Sequence, residues 1–232
     1  TKWRFEVIGM VFMTDKELAT RVEEQIQWDG RVPAAEVDIT IEDSKAILRG
    51  TVPSYRAKMA AAEDAWVVSG IQKVDNQLQV KYPPAITVPP DSEIASSVNA
   101  VLVWEPDIDS AQIEVSVTSG IVTLRGTVNA YWKKYQAEQD AYGIAGVIDV
   151  INQLGVVLSD KPLDQVIARD IEAALARNSH VNVEDVTVAV DNGTVILGGN
   201  VPNWAAWRSA YNAAIYTTGV IDVVDQLNII YT

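Results

Sequence analysis

The stretch Leu124-Arg125-Gly126-Thr127-Val128 lies near the middle of the 232-residue chain and has two counterparts. They are Leu48-Arg49-Gly50-Thr51-Val52 and Leu197-Gly198-Gly199-Asn200-Val201, so the starting positions 48, 124 and 197 are 76 and then 73 residues apart. Further matches keep these offsets: Asp15/Asp91/Asp164, Gly70/Gly146/Gly219 and Gln77/Gln153/Gln226. Because the matches cover both ends and the middle of each segment, the chain is predicted to be three tandem copies of one module.

Each copy predicts the same order of elements. Apolar residues four apart indicate a first helix: Leu18/Val22/Ile26, Ile94/Val98/Leu102 and Ile167/Ile171/Leu175. Two runs with period two then indicate a β-hairpin, and a second helix and a last strand follow. The predicted fold class is therefore α+β, with three small αββαβ modules, each a three-stranded mixed sheet covered by two helices.

The ends of the predicted helices carry recognisable signals. Asp15, Asp91 and Asp164 stand at the start of the first helices, where a carboxylate is expected to cap the free N–H groups of the first turn. Gly70, Gly146 and Gly219 follow the second helices, where glycine readily takes the left-handed conformation that ends a helix.

The repeat also sets the predicted boundaries. The modules are expected at residues 15–82, 91–158 and 164–232, after an N-terminal arm of residues 1–14. The linker 83–90 contains paired prolines, which predict a semi-rigid spacer. The linker 159–163 is shorter and is expected to hold the second and third modules side by side.

Composition excludes several classes of function. With 18 basic and 31 acidic residues the net charge is −13, which opposes the neutralisation of phosphates that nucleic-acid binding needs. The chain has no cysteine and one histidine, His180, so thiol nucleophiles, a Ser-His-Asp elbow and zinc ligand sets are not expected. The prediction is a protein without catalytic residues, cofactor or metal, in which any membrane contact needs an apolar, aromatic or locally basic patch.

Two elements of the second copy resemble the BON family, the bacterial OsmY and nodulation domain. They are Gly120-Ile121-Val122-Thr123-Leu124-Arg125-Gly126-Thr127-Val128 and Gly146-Val147-Ile148-Asp149-Val150-Ile151-Asn152-Gln153-Leu154, and all three copies carry both over residues 15–232. The resemblance implies a periplasmic or envelope location, osmotic or envelope stress, and phospholipid association or attachment to membranes and larger assemblies; it does not imply catalysis. The chain as given shows no signal peptide, which leaves the cytoplasm as the alternative location.

Aromatic residues form a stripe on each predicted second helix, at Tyr55/Met59/Ala62/Trp66, Tyr131/Tyr135/Glu138/Tyr142 and Trp204/Arg208/Tyr211/Ile215. One interpretation is that the stripe packs on the first helix; the other is that it is a contact surface. Trp132, Trp207 and the basic pair Lys133-Lys134 favour the contact surface, because aromatic rings at an exposed helix end suit a boundary between water and an apolar phase. The residues predicted to contact a phospholipid membrane or an envelope protein are Tyr55, Tyr131, Trp132, Lys133, Lys134, Tyr135, Trp204 and Trp207.

The arm alternates apolar Trp3, Phe5 and Val7 with polar residues, which is typical of a strand. Such a strand is expected to pair with a sheet edge, either in its own first module or in a neighbouring molecule, unless the segment is foreign to the native protein. These three residues are the predicted self-association site. The alternative function is thus a self-assembling structural or scaffold protein, a homo-oligomer that uses this strand and the repeat surfaces.

Overall fold

Each module begins with an amphipathic helix. The computed structural model describes residues 13–33 and 36–231, and in it α1 covers Asp15–Trp28, α3 covers Asp91–Trp104 and α5 covers Asp164–Ala176. The apolar residues four apart that predicted these helices are all buried. A capping box starts α1, because the Thr14 hydroxyl accepts from the Glu17 N–H while the Glu17 carboxylate accepts from the Thr14 N–H.

The aspartates at the helix starts were predicted to cap the first turn, and that prediction was wrong for Asp91 and Asp164. The Asp91 carboxylate accepts hydrogen bonds from the N–H groups of Ser119, at 2.7 Å, and Gly120, at 2.9 Å. Asp164 does the same with Asn192 and Gly193, at 2.8 and 2.9 Å. The carboxylates therefore tie the start of the first helix to the hairpin turn instead of to the helix itself.

Three strand positions make each sheet. The hairpins are β1 (Val37–Glu42) with β2 (Lys45–Val52), β5 (Ile113–Thr118) with β6 (Ile121–Val128), and β8 (Val186–Asp191) with β9 (Thr194–Val201). The last strand runs parallel to the second strand of the hairpin, which is therefore central. The last strands are β7 (Asp149–Val156), β10 (Asp222–Ile229) and, interrupted at residues 77–78, β3 (Lys73–Asn76) with β4 (Gln79–Val80).

The glycine in the repeated stretch is required by the backbone. Gly126 has φ +116°, and a β-carbon there would lie 1.9 Å from the carbonyl oxygen of Gln112. Gly50 and Gly199 have φ of +116° and +110°, and a β-carbon on either would lie about as close to the preceding strand. Any side chain would collide with the hairpin at this point, which explains why all three copies carry glycine.

The arginine of the stretch links two strands. Arg125 Nε donates to Gln153 Oε1 at 2.9 Å, and Arg49 Nε donates to Gln77 Oε1 at 3.0 Å. The two sequence elements that identify each copy thus face one another across parallel strands. In the third copy Gly198 replaces the arginine, so this link belongs to the first two modules.

The second helices are α2 (Tyr55–Val67), α4 (Tyr131–Tyr142) and α6 (Trp204–Ile215). The alanines that recur four apart on them are fully buried and let each helix lie close to its sheet: Ala61/Ala65, Ala137/Ala141 and Ala210/Ala214. Each module is an α+β unit with two helices on a mixed sheet, so the predicted fold class is confirmed.

Candidate functional site

The second helices of the three modules face one another through their aromatic residues. The Tyr55 ring of α2 stacks on the Tyr142 ring of α4, with ring centroids 4.2 Å apart and planes within 16°. The Trp66 ring of α2 stacks on Trp204 of α6 at 4.7 Å and 10°. Tyr131 of α4 packs against the core of the third module. Every module therefore contacts both of the others.

These contacts follow one cyclic rule. By the repeat offsets the residues form two equivalent sets, Tyr55/Tyr131/Trp204 and Trp66/Tyr142/Ile215. In each observed stack, a residue of the first set meets the second-set residue of the next module, and module one follows module three. The rule assigns Ile215 to Tyr131 at the remaining junction, and Ile215 is 1% exposed. The three modules form a closed ring with pseudo-three-fold symmetry, a head-to-tail arrangement that closes on itself.

A tyrosine fastens module one to module two. Tyr82, at the end of the first module, places its hydroxyl at the end of α4. The hydroxyl accepts from the Gly146 N–H at 2.8 Å and donates to the Val147 carbonyl at 3.2 Å. Burial raises the pKa of Tyr82, so the phenol keeps its proton.

The same arrangement joins module three to module one. Tyr231 is equivalent to Tyr82, and its hydroxyl donates to the Ile71 carbonyl at 3.0 Å, beside Gly70. The third equivalent residue is Leu158, at the end of module two. Two of the three junctions therefore have a tyrosine hydroxyl, and the junction between modules two and three has an aliphatic side chain.

The ring accounts for most of the predicted binding residues. Trp207 lies 4.3 Å from Trp204 and 5.1 Å from Tyr211, ring to ring, and its Nε1 donates to Asp225 at 2.8 Å. Burial raises the pKa of Tyr55, Tyr131 and Tyr135. Tyr55, Trp66 and Tyr142 of the stripe contact aromatic rings of other modules, a position between modules that neither interpretation of the stripe specified.

Trp132, Lys133 and Lys134 lie at the start of α4 and are half-buried. The Lys133 ammonium lies 5.4 Å from the centre of the Trp132 ring, within the range of a cation–π interaction. The predicted self-association residues Trp3, Phe5 and Val7 lie outside the described residues.

Sequence reasoning missed two exposed tryptophans. Trp28 ends α1 and Trp104 ends α3, at equivalent positions, and they are 88% and 85% exposed. The third equivalent residue is Arg177, which follows α5 and is also exposed. The signal was available, because an aromatic residue recurs in two copies outside the buried apolar row.

Trp28, Trp104 and Arg177 occupy equivalent positions of the repeat, at the ends of the three first helices. In module one the turn after α2 touches the start of α1, because a β-carbon on Gly70 would lie 2.7 Å from Leu18, so the two helices are antiparallel. The start of α4, with Trp132 and Lys133, therefore lies at the same end as Trp104. We call these five residues the tryptophan face.

The residues that the structure describes were compared with the requirements of a metal site and of a membrane-spanning helix. Within residues 13–33 and 36–231, no three His, Cys, Asp or Glu side chains come together as a metal ion would require. None of the helices in the same ranges combines the length and the apolar character needed to span a bilayer.

A family model described as the BON domain matches the chain three times, at residues 14–82, 90–157 and 163–231. The chain belongs to the BON domain family. One relative is the "Osmotically-inducible protein Y" of Escherichia coli K12, 25% identical over 146 residues, which cover 62% of this chain and 73% of the relative. Another relative is the "Uncharacterized protein in gshII 5'region" of Anaplasma centrale, 24% identical over 124 residues, which cover 51% of this chain and 82% of that protein.

Among solved structures, a similar chain is CdsD, a structural protein of the type III secretion system of Chlamydia trachomatis. It is 15% identical, 93% of each chain is covered, and the TM-score is 0.27. A score this low says nothing of how the three BON modules of the present chain are arranged.

Proposed function

We propose that this BON-domain protein is a non-catalytic component of the bacterial envelope that contacts the phospholipid surface through the tryptophan face. The observation that carries the proposal is the pair of equivalent tryptophans, Trp28 and Trp104, exposed at the ends of α1 and α3. Tryptophan is favoured at the boundary between lipid and water, because its ring is largely apolar while its N–H can stay hydrated.

The charge of the molecule limits how such a contact works. A net charge of −13 gives no general attraction to anionic lipid, so the contact depends on aromatic insertion. Arg177 and Lys133 supply local positive charge on the same face, and long basic side chains reach headgroups while their stems lie along apolar surface. The proposed contact residues are therefore Trp28, Trp104, Trp132, Lys133 and Arg177.

Membership of the BON domain family supports the proposed location in the bacterial envelope. The similarity to a protein named for its induction by osmotic stress supports a role in envelope stress. Among the residues predicted from the sequence to bind lipid, Trp132, Lys133 and Lys134 remain suited to that contact. Tyr55, Trp204 and Trp207 are less suited, because their rings stack on other rings of this protein.

A self-assembling scaffold is the second candidate function. Ring closure uses the module-to-module surfaces within a single chain, which leaves the arm of residues 1–14 as the means of assembly. Light scattering of the protein without lipid distinguishes the candidates, since the lipid-binding proposal requires no growth in mass with concentration.

The test is co-sedimentation with vesicles of neutral phosphatidylcholine and of phosphatidylcholine with phosphatidylglycerol. Trp28→Ala combined with Trp104→Ala is expected to weaken binding to both by 10-fold or more, a loss of about 1.4 kcal/mol or more. The matched control is Ile86→Ala with Val88→Ala, which removes exposed apolar side chains from the linker before α3, at the opposite end of that helix from Trp104. Equal binding by the tryptophan variant and the native protein would overturn the proposal.

A further inference from the structure

The junction between modules two and three contains a cavity of about 470 Å³. Its walls include the apolar residues Val156, Leu158, Pro162, Leu163 and Ile221 together with Gly219, and also the polar residues Lys161, Asp164 and Asn192. The cavity therefore lies where the end of module two meets the turn after α6 of module three, the place that corresponds to the tyrosine contacts of the other two junctions.

The other junctions show what fits there. Tyr82 and Tyr231 each insert a phenol ring whose hydroxyl bonds to the backbone after the second helix of the next module. Leu158 replaces that tyrosine in module two, and an isobutyl group is smaller than a hydroxyphenyl group and makes no hydrogen bond. The linker is also three residues shorter, since the repeat offset falls from 76 to 73.

The backbone that would meet a hydroxyl is preserved. Gly219 and Val220 correspond to Gly146 and Val147, which bond to Tyr82. Gly219 and Val220 are both buried, and among the described residues the Gly219 N–H and the Val220 carbonyl have no hydrogen-bond partner. Buried backbone groups are nearly always paired. The unpaired Gly219 N–H belongs to a residue that lines the cavity, and the unpaired Val220 carbonyl lies one residue further along the chain.

We infer that this cavity binds a small phenol. The ring lies against Leu158, Pro162 and Ile221, and the hydroxyl accepts from the Gly219 N–H and donates to the Val220 carbonyl, as the Tyr82 hydroxyl does one junction earlier. A pocket with an apolar body and a few placed polar groups is the usual form of a small-molecule site. The inference does not depend on the proposed lipid contact, which lies at the other end of the helices.

The experiment uses the full chain and p-cresol, which is the tyrosine side chain as a free molecule. Titration followed by amide NMR is expected to give a Kd on the order of 1 mM, within the range for a ligand of this size. The Gly219 amide signal is expected to shift on binding, while the Gly146 amide, already bonded to Tyr82, stays in place. Toluene, which lacks the hydroxyl, is expected to bind at least 10-fold more weakly.

Leu158→Tyr restores the residue of the other junctions and is expected to abolish p-cresol binding while raising Tm by about 2–4 °C. Leu158→Phe fills the same space without a hydroxyl, so it is expected to abolish p-cresol binding with a smaller gain in Tm. With two variants, the test can still be read if one of them folds poorly. The inference is overturned if p-cresol does not bind at about ten times the expected Kd, if toluene binds equally well, or if both filled variants still bind p-cresol.

Discussion

Gly126 occupies a position where the chain leaves no space for a side chain. Its φ is +116°, and a β-carbon would lie 1.9 Å from the Gln112 carbonyl oxygen. Gly126→Ala is expected to lower the free energy of unfolding by about 3 kcal/mol, because it adds backbone strain to a collision with backbone. Urea unfolding measures the loss. The control is Gly155→Ala on the neighbouring strand, where the nearest atom lies 3.8 Å from the new β-carbon; similar losses in both would contradict the explanation.

Two aspartates with a buried carboxylate oxygen recur at equivalent positions, Asp64 and Asp140. Asp64 is 7% exposed, and its Oδ2 has no hydrogen-bond partner among the described residues. Asp140 has the same unpaired Oδ2, while its Oδ1 accepts from Gln136 at 2.8 Å. Burial raises the pKa of both side chains above the ordinary aspartate value of 3.8. The negative charge of Asp29 also raises the pKa of Asp64, whereas the positive charge of Arg31 lowers it.

A raised pKa in the folded state means that these groups hold a proton more tightly when folded. The folded protein therefore gains stability as the pH falls through the raised pKa towards 3.8, and that gain is absent at neutral pH. Asp64→Asn is expected to raise the free energy of unfolding at pH 7, with the difference from the native protein shrinking as the pH approaches 3.8. Urea unfolding across this range measures it, with Asp38→Asn, an exposed aspartate, as control. A constant difference at every pH would rule out the charge as the cause.

The hairpin turns show how one element varies among the copies. The second turn residue has φ of +77° in Gly120 and +79° in Gly193, whereas module one has Ser44 at +61°. Ser44→Gly is expected to stabilise the protein by roughly 0.5–1 kcal/mol, since glycine takes this conformation without a steric penalty. Thermal unfolding of Ser44→Gly beside Ser44→Ala tests it, because alanine keeps the β-carbon and should bring no gain. An equal gain in both variants would point to the hydroxyl instead.

The elements themselves were predictable because local patterns determine them. Apolar residues four apart gave the first helices, and runs with period two gave the hairpins. The role of Asp91 was not predictable, because its hydrogen bonds reach a turn 28 residues away. Similarly, the helix-two stripe showed that one face is aromatic, but spacing along a helix does not reveal what covers that face.

The candidate site was predictable only in part. Trp132 and Lys133 are predicted from an aromatic and a basic residue standing together at a helix start, and that prediction stays untested. Trp28 and Trp104 give a weaker signal, because they end helices whose buried apolar row is complete at Ile26 and Leu102. Whether these tryptophans share a face depends on how the modules close into a ring. That closure rests on contacts between residues as distant as Trp66 and Trp204, which no local pattern contains.

The whole ring depends on three junctions, and the one between modules one and three joins the parts most distant in sequence. Trp66→Ala removes the ring that stacks on Trp204 and is expected to open this junction. Small-angle X-ray scattering should then give a larger radius of gyration, and calorimetry should show module unfolding spread over a wider temperature range. Trp104→Ala, which removes the same side chain from an 85% exposed position, is the matched control. An unchanged radius for Trp66→Ala would show that the remaining contacts, among them the Tyr231 hydrogen bond, are enough to hold the ring closed.

The turn around Gly70 brings the two ends of the described chain together. A β-carbon on Gly70 would lie 3.4 Å from the terminal methyl of Met13, and the Tyr231 hydroxyl bonds to the Ile71 carbonyl beside it. A circular permutant is therefore expected to fold, with residue 231 joined to residue 13 by a short flexible peptide and new termini in the proline linker 83–90. Circular dichroism and melting temperature check it, and a permutant that fails to fold would show that the order of synthesis matters. If such a permutant folds, any of the three BON modules can stand first in the chain, and the modules then differ from one another only in their side chains.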